Sequence, residues 1–173
     1  IIYTAAMGEL PGFGDVGFIA FIGDSMENGV KNTFRNIAGK IDRSSFLQQV
    51  VQITRKTDSE MELINTDGKE LYLKGYGAST NIRGVRYKGL RPSVAIMDDV
   101  TSTEAGASET MLKTIEENFF KSIAPALHPT RYKIFYIATP VSENDLLHKL
   151  INNKEWAVHK FPICEKFPCS KEE

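Results

Sequence analysis

The sequence predicts an α/β fold, in which a parallel sheet is flanked by helices and carries an inserted β-hairpin. Continuous apolar runs bounded by glycine or aspartate are typical of strands buried on both faces. Segments whose apolar residues recur at helical intervals separate these runs, and one alternating stretch predicts the hairpin. This alternation of strand and helix favours a doubly wound parallel sheet. The predicted strands span 16–24, 93–98, 131–140 and 155–163, and the predicted helices span 25–41, 108–127 and 142–153.

The first strand and helix follow a short opening segment of helical spacing and a glycine-rich loop. The run VGFIAFIGD (16–24) is continuously apolar, so we predict a strand buried on both faces. Ser25 is the predicted N-cap of the next helix, and Gly39 lies near its predicted end. The apolar residues that set its helical period are Val30, Phe34, Ile37 and Ile41.

The middle of the chain combines the hairpin with the second strand and helix. The turn Thr66-Asp67-Gly68 lies between two alternating segments, and a hairpin inserted there is expected to decorate an edge of the sheet. The strand 93–98 follows a polar loop, and the run 131–140 is predicted to be another buried strand. The helix between them is expected to bury the stripe Met111, Ile115, Phe119 and Ile123 and to end at Pro125.

Length and composition bound the class of protein. With 173 residues, 42% hydrophobic and 25% charged, the chain has the composition of one globular domain. Its formal charge of −1 means that any contact with a nucleic acid depends on a local patch. No apolar run reaches the roughly 18 residues of a membrane span, so we expect no membrane partner. Cys164 and Cys169 are expected to be unpaired thiols.

Two adjacent carboxylates, Asp98 and Asp99, end the strand 93–98. In open parallel sheets the ligand lies beyond the carboxyl ends of the strands, so both aspartates would face a site. Adjacent side chains on an extended backbone point in opposite directions, so a bend after Asp98 is required if both serve one site. The alternative is that they begin a loop or cap the next helix.

The strand 131–140 ends in Ala138-Thr139-Pro140, about forty residues after the aspartates. If this strand neighbours the strand 93–98, Thr139 lies beside Asp98 at the same edge. A threonine hydroxyl there can bond an attacking water, a phosphate oxygen or a carboxylate. An ST-turn ended by Pro140 is the alternative interpretation.

Nothing in the sequence reads G-x-x-x-x-G-K-[ST], the loop that cradles phosphates in P-loop proteins. The segment GFGDVG (12–17) has G-x-G-x-x-G spacing, but it precedes a strand where a dinucleotide fingerprint must follow one. If the protein is a P-loop ATPase, its phosphate loop is expected upstream of Ile1.

Four segments in this order resemble the ATPase domain of the large terminase subunit of tailed bacteriophages, the motor that pumps DNA into a procapsid. The resemblance covers nearly the whole chain and implies a P-loop NTPase-like fold. FIAFIGDS corresponds to the strand after the P-loop helix, and NIRGVRYKGLRP to an Arg-Gly segment. VAIMDD corresponds to Walker B, and FYIATP to the coupling motif.

The resemblance implies a role for each matching residue, with ATP and Mg²⁺ as cofactors. Asp98 would be the Mg²⁺-associated Walker B aspartate, and Asp99 would occupy the position of the carboxylate that activates water. Many relatives carry Glu at that position, so Glu104 is a reserve candidate. Thr139 would contact the nucleotide and couple hydrolysis to DNA movement. Arg83 would contact the nucleotide or the transferred phosphoryl group, or else be a solvated loop arginine.

The resemblance also implies the surroundings of the chain. Residues 1–173 are expected to be part of an ATPase domain, with the Walker A loop upstream and a nuclease domain downstream. The expected partners are double-stranded DNA, the portal protein, the small terminase subunit and further copies in a ring on the procapsid. The expected location is the host cytoplasm, at the portal vertex during assembly, and not the mature virion.

The sequence is also compatible with two other functions and with one further contact surface. A superfamily-2-like helicase would carry DExH or DExD after the strand, which DDVT does not supply. A catalytically inactive nucleotide-fold module, used for assembly or DNA contact, is favoured by the absent phosphate loop. A basic group before Walker B could contact DNA, nucleotide or a neighbouring subunit, or be solvated; it comprises Lys74, Arg83, Arg86, Lys88 and Arg91.

Overall fold

The computed structural model describes residues 1–102, 106 and 108–161. Within them two sheets form, a small antiparallel pair and a six-stranded sheet. The strands are β1 (Glu9–Leu10), β2 (Gly14–Asp15), β3 (Phe18–Gly23), β4 (Val51–Lys56), β5 (Glu60–Asn65), β6 (Glu70–Gly77), β7 (Val94–Asp98) and β8 (Lys133–Ile137). The helices are α1 (Ile2–Met7), α2 (Lys31–Arg43), α3 (Ser45–Val50), α4 (Glu109–Asn118), α5 (Ala124–Ala126) and α6 (Leu146–Ile151), with π-helical turns at Met26–Val30 and Phe119–Ile123.

The large sheet has the strand order β4-β5-β6-β3-β7-β8. The strands β6, β3, β7 and β8 are parallel, whereas β4 and β5 continue the sheet in antiparallel pairing. The predicted fold class, a parallel sheet flanked by helices with an inserted hairpin, is confirmed. The hairpin is more than an edge decoration, because its second strand, β6, pairs along its length with the central strand β3.

The central strand β3 is buried along its whole length, as its apolar run predicts. Its side chains alternate between two core clusters, with Ile19 and Phe21 on one face of the sheet and Ala20 and Ile22 on the other. The first face packs on α1 and α2, where the fully buried Phe34 meets Phe21 edge to face at 6.3 Å between ring centroids. Burying a side chain of this size contributes about 1.5–3 kcal/mol.

The second face packs on α4 and α6. Here the buried apolar residues of the long helical segment are Leu112, Ile115, Phe119 and Ile123. Met111, which the sequence placed in this stripe, is 42% exposed, so that part of the prediction is wrong. The π-helical turn at Phe119–Ile123 inserts an extra residue per turn and keeps Phe119 and Ile123 facing the sheet.

Two expectations about the chain's later elements are corrected. The strand β8 is the last in the sheet among the described residues, and Phe135 and Ile137 are exposed, so it is not a buried strand. No strand forms over 155–161, where Trp156 instead packs beside Phe119 at 6.2 Å between centroids. The rest of the predicted last strand, with Cys164 and Cys169, lies outside the described residues. The strand β4 was not predicted.

Local signals explain where several elements begin and end. The Ser25 hydroxyl accepts from the Asn28 amide over 3.1 Å at the start of the first π-helical turn, as the predicted N-cap requires. In the β5–β6 turn, Gly68 has a φ of 76°, and the Asn65 side chain accepts from the amides of Asp67 and Lys69. In the part of the chain that the structure describes, no helix is long and apolar enough to cross a membrane.

Candidate active site

The carboxyl ends of four parallel strands meet at one edge of the sheet. In register, Gly23 of β3 pairs with Gly77 of β6 and with Asp98 of β7, and Asp98 pairs with Ile137 of β8. Neighbouring strands lie about 4.8 Å apart, so the segments that follow adjacent strands are within reach of one another. The predicted juxtaposition of the two aspartates with the Ala-Thr-Pro segment is confirmed by this register.

Asp98 is the last residue of β7 and is half-buried. Burial raises the pKa of its carboxyl above the ordinary value, and the negative charge of Asp99 raises this pKa further. Its side chain receives no hydrogen bond from the described residues. Asp98 therefore presents a desolvated, uncompensated carboxylate, which a cation would stabilise.

Asp99 supplies the bend that the sequence requires. Its φ of 43° is in the left-handed region, which aspartate tolerates better than most residues. Its amide donates to the carbonyl oxygen of Ile137 over 2.9 Å, so the bend is anchored to the end of β8. The chain turns sharply enough for Asp98 and Asp99, which would otherwise diverge, to remain at the same edge.

Thr139 contacts Asp99 through its main chain. The Thr139 amide donates to Oδ1 of Asp99 over 3.3 Å, and the side chain of Thr139 is exposed. The sequence predicted a contact through the threonine hydroxyl, but the main-chain amide makes the contact. This bond orients the Asp99 carboxylate relative to the end of β8 and leaves the hydroxyl available to a ligand.

The loop after Thr139 is tied to α6 by a carboxylate that sequence analysis did not single out. Asp145, whose side chain is 1% exposed, accepts from the amides of Val141 and Ser142 and, at the start of α6, from the amide and ring of His148. Burial alone would raise the pKa of Asp145, but these hydrogen bonds outweigh it, and the pKa lies below its ordinary value. The Asn-Asp pair before an apolar run was the available cap signal.

Another aspartate at this edge, Asp24, was not among the residues that the sequence predicted for the site. It follows Gly23, the register partner of Asp98, and its Oδ1 accepts from the Ser25 amide over 2.6 Å. Gly29 packs against it so closely that an added Cβ would lie 2.5 Å from Oδ1. Asp24 thus serves the turn that follows β3, and this accounts for its position without a ligand.

Arg83 lies on the loop that follows β6. Because β3 lies between β6 and β7, this loop starts about 10 Å, or two strand spacings, from the end of β7. The side chain of Arg83 is exposed. Glu104, the reserve candidate, lies outside the described residues.

The predicted basic group does not form a free patch. Lys74 pairs with Glu60, and Lys88 pairs with Glu70. The guanidinium groups of Arg86 and Arg91 donate to the carbonyl oxygens of Gly89 and Pro125. Arg83 is the member of the group whose head makes none of these internal contacts.

A Mg²⁺ ion bound here would depend on few protein ligands. Among residues 1–102, 106 and 108–161, no three His, Cys, Asp or Glu side chains cluster to hold a metal. Mg²⁺ commonly takes one or two carboxylates and completes its octahedron with water and substrate phosphates. The uncompensated Asp98, with Asp99 beside it, fits that pattern.

The fold and this edge define an α/β protein with two carboxylates beyond the end of a central parallel strand. No protein-family model matches the chain, and no curated protein matches it. The chain is similar to the large terminase from a thermophilic bacteriophage, with a TM-score of 0.46 and 12% identity over 80% of this chain and 29% of that chain. A complex of that terminase with ADP gives a TM-score of 0.42 and 13% identity, again over 80% and 29%. The chain thus spans less than a third of these proteins, and at this level the likeness carries no inference about function.

Proposed function

We propose that this chain belongs to the ATPase domain of a phage large terminase subunit, which couples hydrolysis of Mg-ATP to translocation of double-stranded DNA into a procapsid. The observation that carries the proposal is the contact between the Thr139 amide and Oδ1 of Asp99, directly after Asp98 at the end of β7. It brings together the two segments, VAIMDD and FYIATP, whose resemblance to Walker B and the coupling motif suggested the family.

In the proposed chemistry the two aspartates have different roles. Asp98 would hold Mg²⁺ through water, since its carboxylate is half-buried and uncompensated. Asp99 would orient and activate the attacking water, and its exposed, tethered carboxylate is suited to that role. Because phosphoryl transfer depends chiefly on positioning and charge stabilisation, the tether at Thr139 supports catalysis by fixing the base.

The proposal also includes segments outside this chain and binding partners. A Walker A loop would precede Ile1 and supply the phosphate-binding lysine, and a nuclease domain would follow the chain. Double-stranded DNA, the portal protein, the small terminase subunit and other copies in a ring would be the partners, in the host cytoplasm. A catalytically inactive module is the competing function, favoured by the lack of G-K-[ST] in the sequence.

The test is steady-state ATP hydrolysis by the protein encoded by the complete reading frame. Asp99→Asn should reduce turnover by about a hundredfold or more, the scale of a lost general base. Asp24→Asn is the matched control, because Asp24 lies at the same edge but serves the adjacent turn. Residues 1–173 alone are expected to hydrolyse ATP negligibly.

The outcomes separate the competing functions. Turnover that Asp99→Asn leaves intact would remove Asp99 as the base and favour Glu104. Absence of turnover in the complete protein, with no G-K-[ST] encoded upstream, would establish the inactive module instead. Appreciable Mg²⁺-dependent turnover by residues 1–173, lost in Asp98→Ala, would contradict the proposal that the phosphate loop lies outside them.

A further inference from the structure

The segment between β6 and β7, from Ala78 to Ser93, is a long loop with no helix and no strand of its own apart from the bridge between Tyr87 and Leu90. Loops of this length are uncommon in compact domains and are often functional. This one leaves the carboxyl edge of the sheet, since it begins directly after Gly77.

Side chains from the neighbouring helix hold the first part of this loop. Asn118, at the end of α4, donates from Nδ2 to the carbonyl oxygens of Ala78 and Thr80 over 2.7 and 2.9 Å. Ser122, 3% exposed, accepts from the Ile82 amide over 2.7 Å. The bond from the Ile82 amide to Ser122 is buried, so removing its acceptor leaves an unsatisfied donor at a cost in free energy. Together the three bonds restrain the first part of the loop.

The bonds that Asn118 and Ser122 make to the loop, called the clamp below, extend to Arg83. The Ser122 hydroxyl donates to Oδ1 of Asn81 over 3.0 Å, and the same oxygen accepts from the Arg83 amide over 2.9 Å. The main chain at Arg83 is therefore connected to the helix through Asn81 and Ser122. Its side chain, by contrast, is exposed.

The other basic residues of this region have internal partners. Lys88 pairs with Glu70, and the guanidinium groups of Arg86 and Arg91 donate to main-chain carbonyl oxygens. Within the described residues the Arg83 guanidinium has no such partner. A restrained main chain that carries an uncompensated guanidinium is suited to an anionic oxygen from a ligand, because less main-chain entropy remains to be lost on binding.

We propose that Asn118 and Ser122 are positioning residues that hold the loop of Arg83 so that its guanidinium can contact a phosphate oxygen of the nucleotide. The inference rests on the proposed function. It assigns a functional reason to two polar side chains of the helical segment 109–123.

The clamp is tested first on residues 1–173 by amide hydrogen exchange. In Ser122→Ala the exchange of the Ile82 amide should rise by about tenfold or more, because its acceptor is deleted. Asn118→Ala, a change at a half-buried position, should raise exchange across 78–83 and provides a variant less prone to unfold. Asn152→Ala is the matched control, because Asn152 donates only within its own helix, to the His148 carbonyl oxygen.

The link to Arg83 is tested by ATP hydrolysis in the complete protein. Asn118→Ala should lower kcat by about tenfold with little change in KM, as expected when a contact of the transition state is misplaced. In a protein that already carries Arg83→Ala, Asn118→Ala should not lower kcat further, because the effects of two residues that act through one group are not additive.

Each outcome decides part of the inference. Exchange at 78–83 that matches the Asn152→Ala control would overturn the clamp. An equal loss of kcat from Asn118→Ala with and without Arg83 would overturn its action through that arginine. A complete protein that hydrolyses no ATP would reject the proposed function and the phosphate contact together, while the exchange data would still decide whether the loop is clamped.

Discussion

Asp99 and Thr139 are forty residues apart in the chain, yet the Thr139 amide donates to Oδ1 of Asp99 over 3.3 Å. The contact exists because β7 and β8 are parallel neighbours in register, with Asp98 opposite Ile137. The main-chain amide of residue 139 donates this bond, so the orientation of the Asp99 carboxylate does not depend on the side chain at position 139. We therefore expect the geometry of Asp99 to survive Thr139→Ala, even if that change removes a contact of the hydroxyl with a ligand.

The left-handed conformation of Asp99 makes its replacements unequal. Asp99→Gly should be more stable than Asp99→Ala by about 1 kcal/mol, because alanine is strained at a φ of 43° and glycine is not. Urea denaturation of both variants measures the difference. Equal stability would show that the bend relaxes when the carboxylate is removed.

Asp98 should lower stability at neutral pH. Its folded-state pKa is raised by burial and by the Asp99 charge, so its ionised form is disfavoured in the folded protein. This cost is present at neutral pH and disappears as the pH falls and the carboxyl is protonated in both states. Asp98→Asn should therefore raise the Tm at pH 7, by an amount that shrinks toward about pH 4.

The control for that measurement is Asp67→Asn, which removes a carboxylate from the exposed β5–β6 turn. A Tm gain in Asp98→Asn that is independent of pH, or no larger than that of the control, would mean that desolvation at Asp98 is not the cause.

Asp145 should show the opposite pH dependence. Its folded-state pKa lies below the ordinary value, so its stabilisation is complete above the unfolded pKa of about 4 and is lost as the pH falls through the folded pKa. Asp145→Ala should cost about 1–2 kcal/mol at pH 7, the range of a lost N-cap, and the cost should diminish in acid. Thermal unfolding between pH 7 and pH 3 measures it, and a cost that stays constant over this range would contradict the assignment.

Two glycine-to-alanine changes should alter the free energy of unfolding in opposite directions. At Gly75 an added Cβ would lie 2.1 Å from Cγ1 of the buried Val30, so Gly75→Ala should destabilise by about 1–3 kcal/mol through overpacking. At Gly39, inside α2, the nearest atom is the flexible Arg43 Nη2 at 3.6 Å, and Gly39→Ala should stabilise by up to about 1 kcal/mol. Urea denaturation of the pair measures both, and a stable Gly75→Ala would mean that the π-helical turn at Met26–Val30 can move away from β6.

Much of the fold and part of the candidate site could be predicted because the signals are local. The apolar run of β3, the Ser25 cap, the Thr66-Asp67-Gly68 turn and the aspartates at the end of β7 each depend on a few neighbouring residues. The carboxyl-edge position of Asp98 then follows from the geometry of parallel sheets. The sequence by itself thus determined the class of fold, most of its elements and the position of two carboxylates at the candidate site.

Only the tertiary structure decided the features that depend on pairing between distant segments. The apolar pattern of β8 cannot reveal that no further strand covers it within the described residues, because burial depends on neighbours and not on the strand's own composition. The pairing of β6 with β3, the amide contact between Thr139 and Asp99, and the clamp of Asn118 and Ser122 on the Arg83 loop are likewise non-local. In each case a polar group or a strand edge is paired with a partner far along the chain. The partner is determined only when the sheet and the helices pack together.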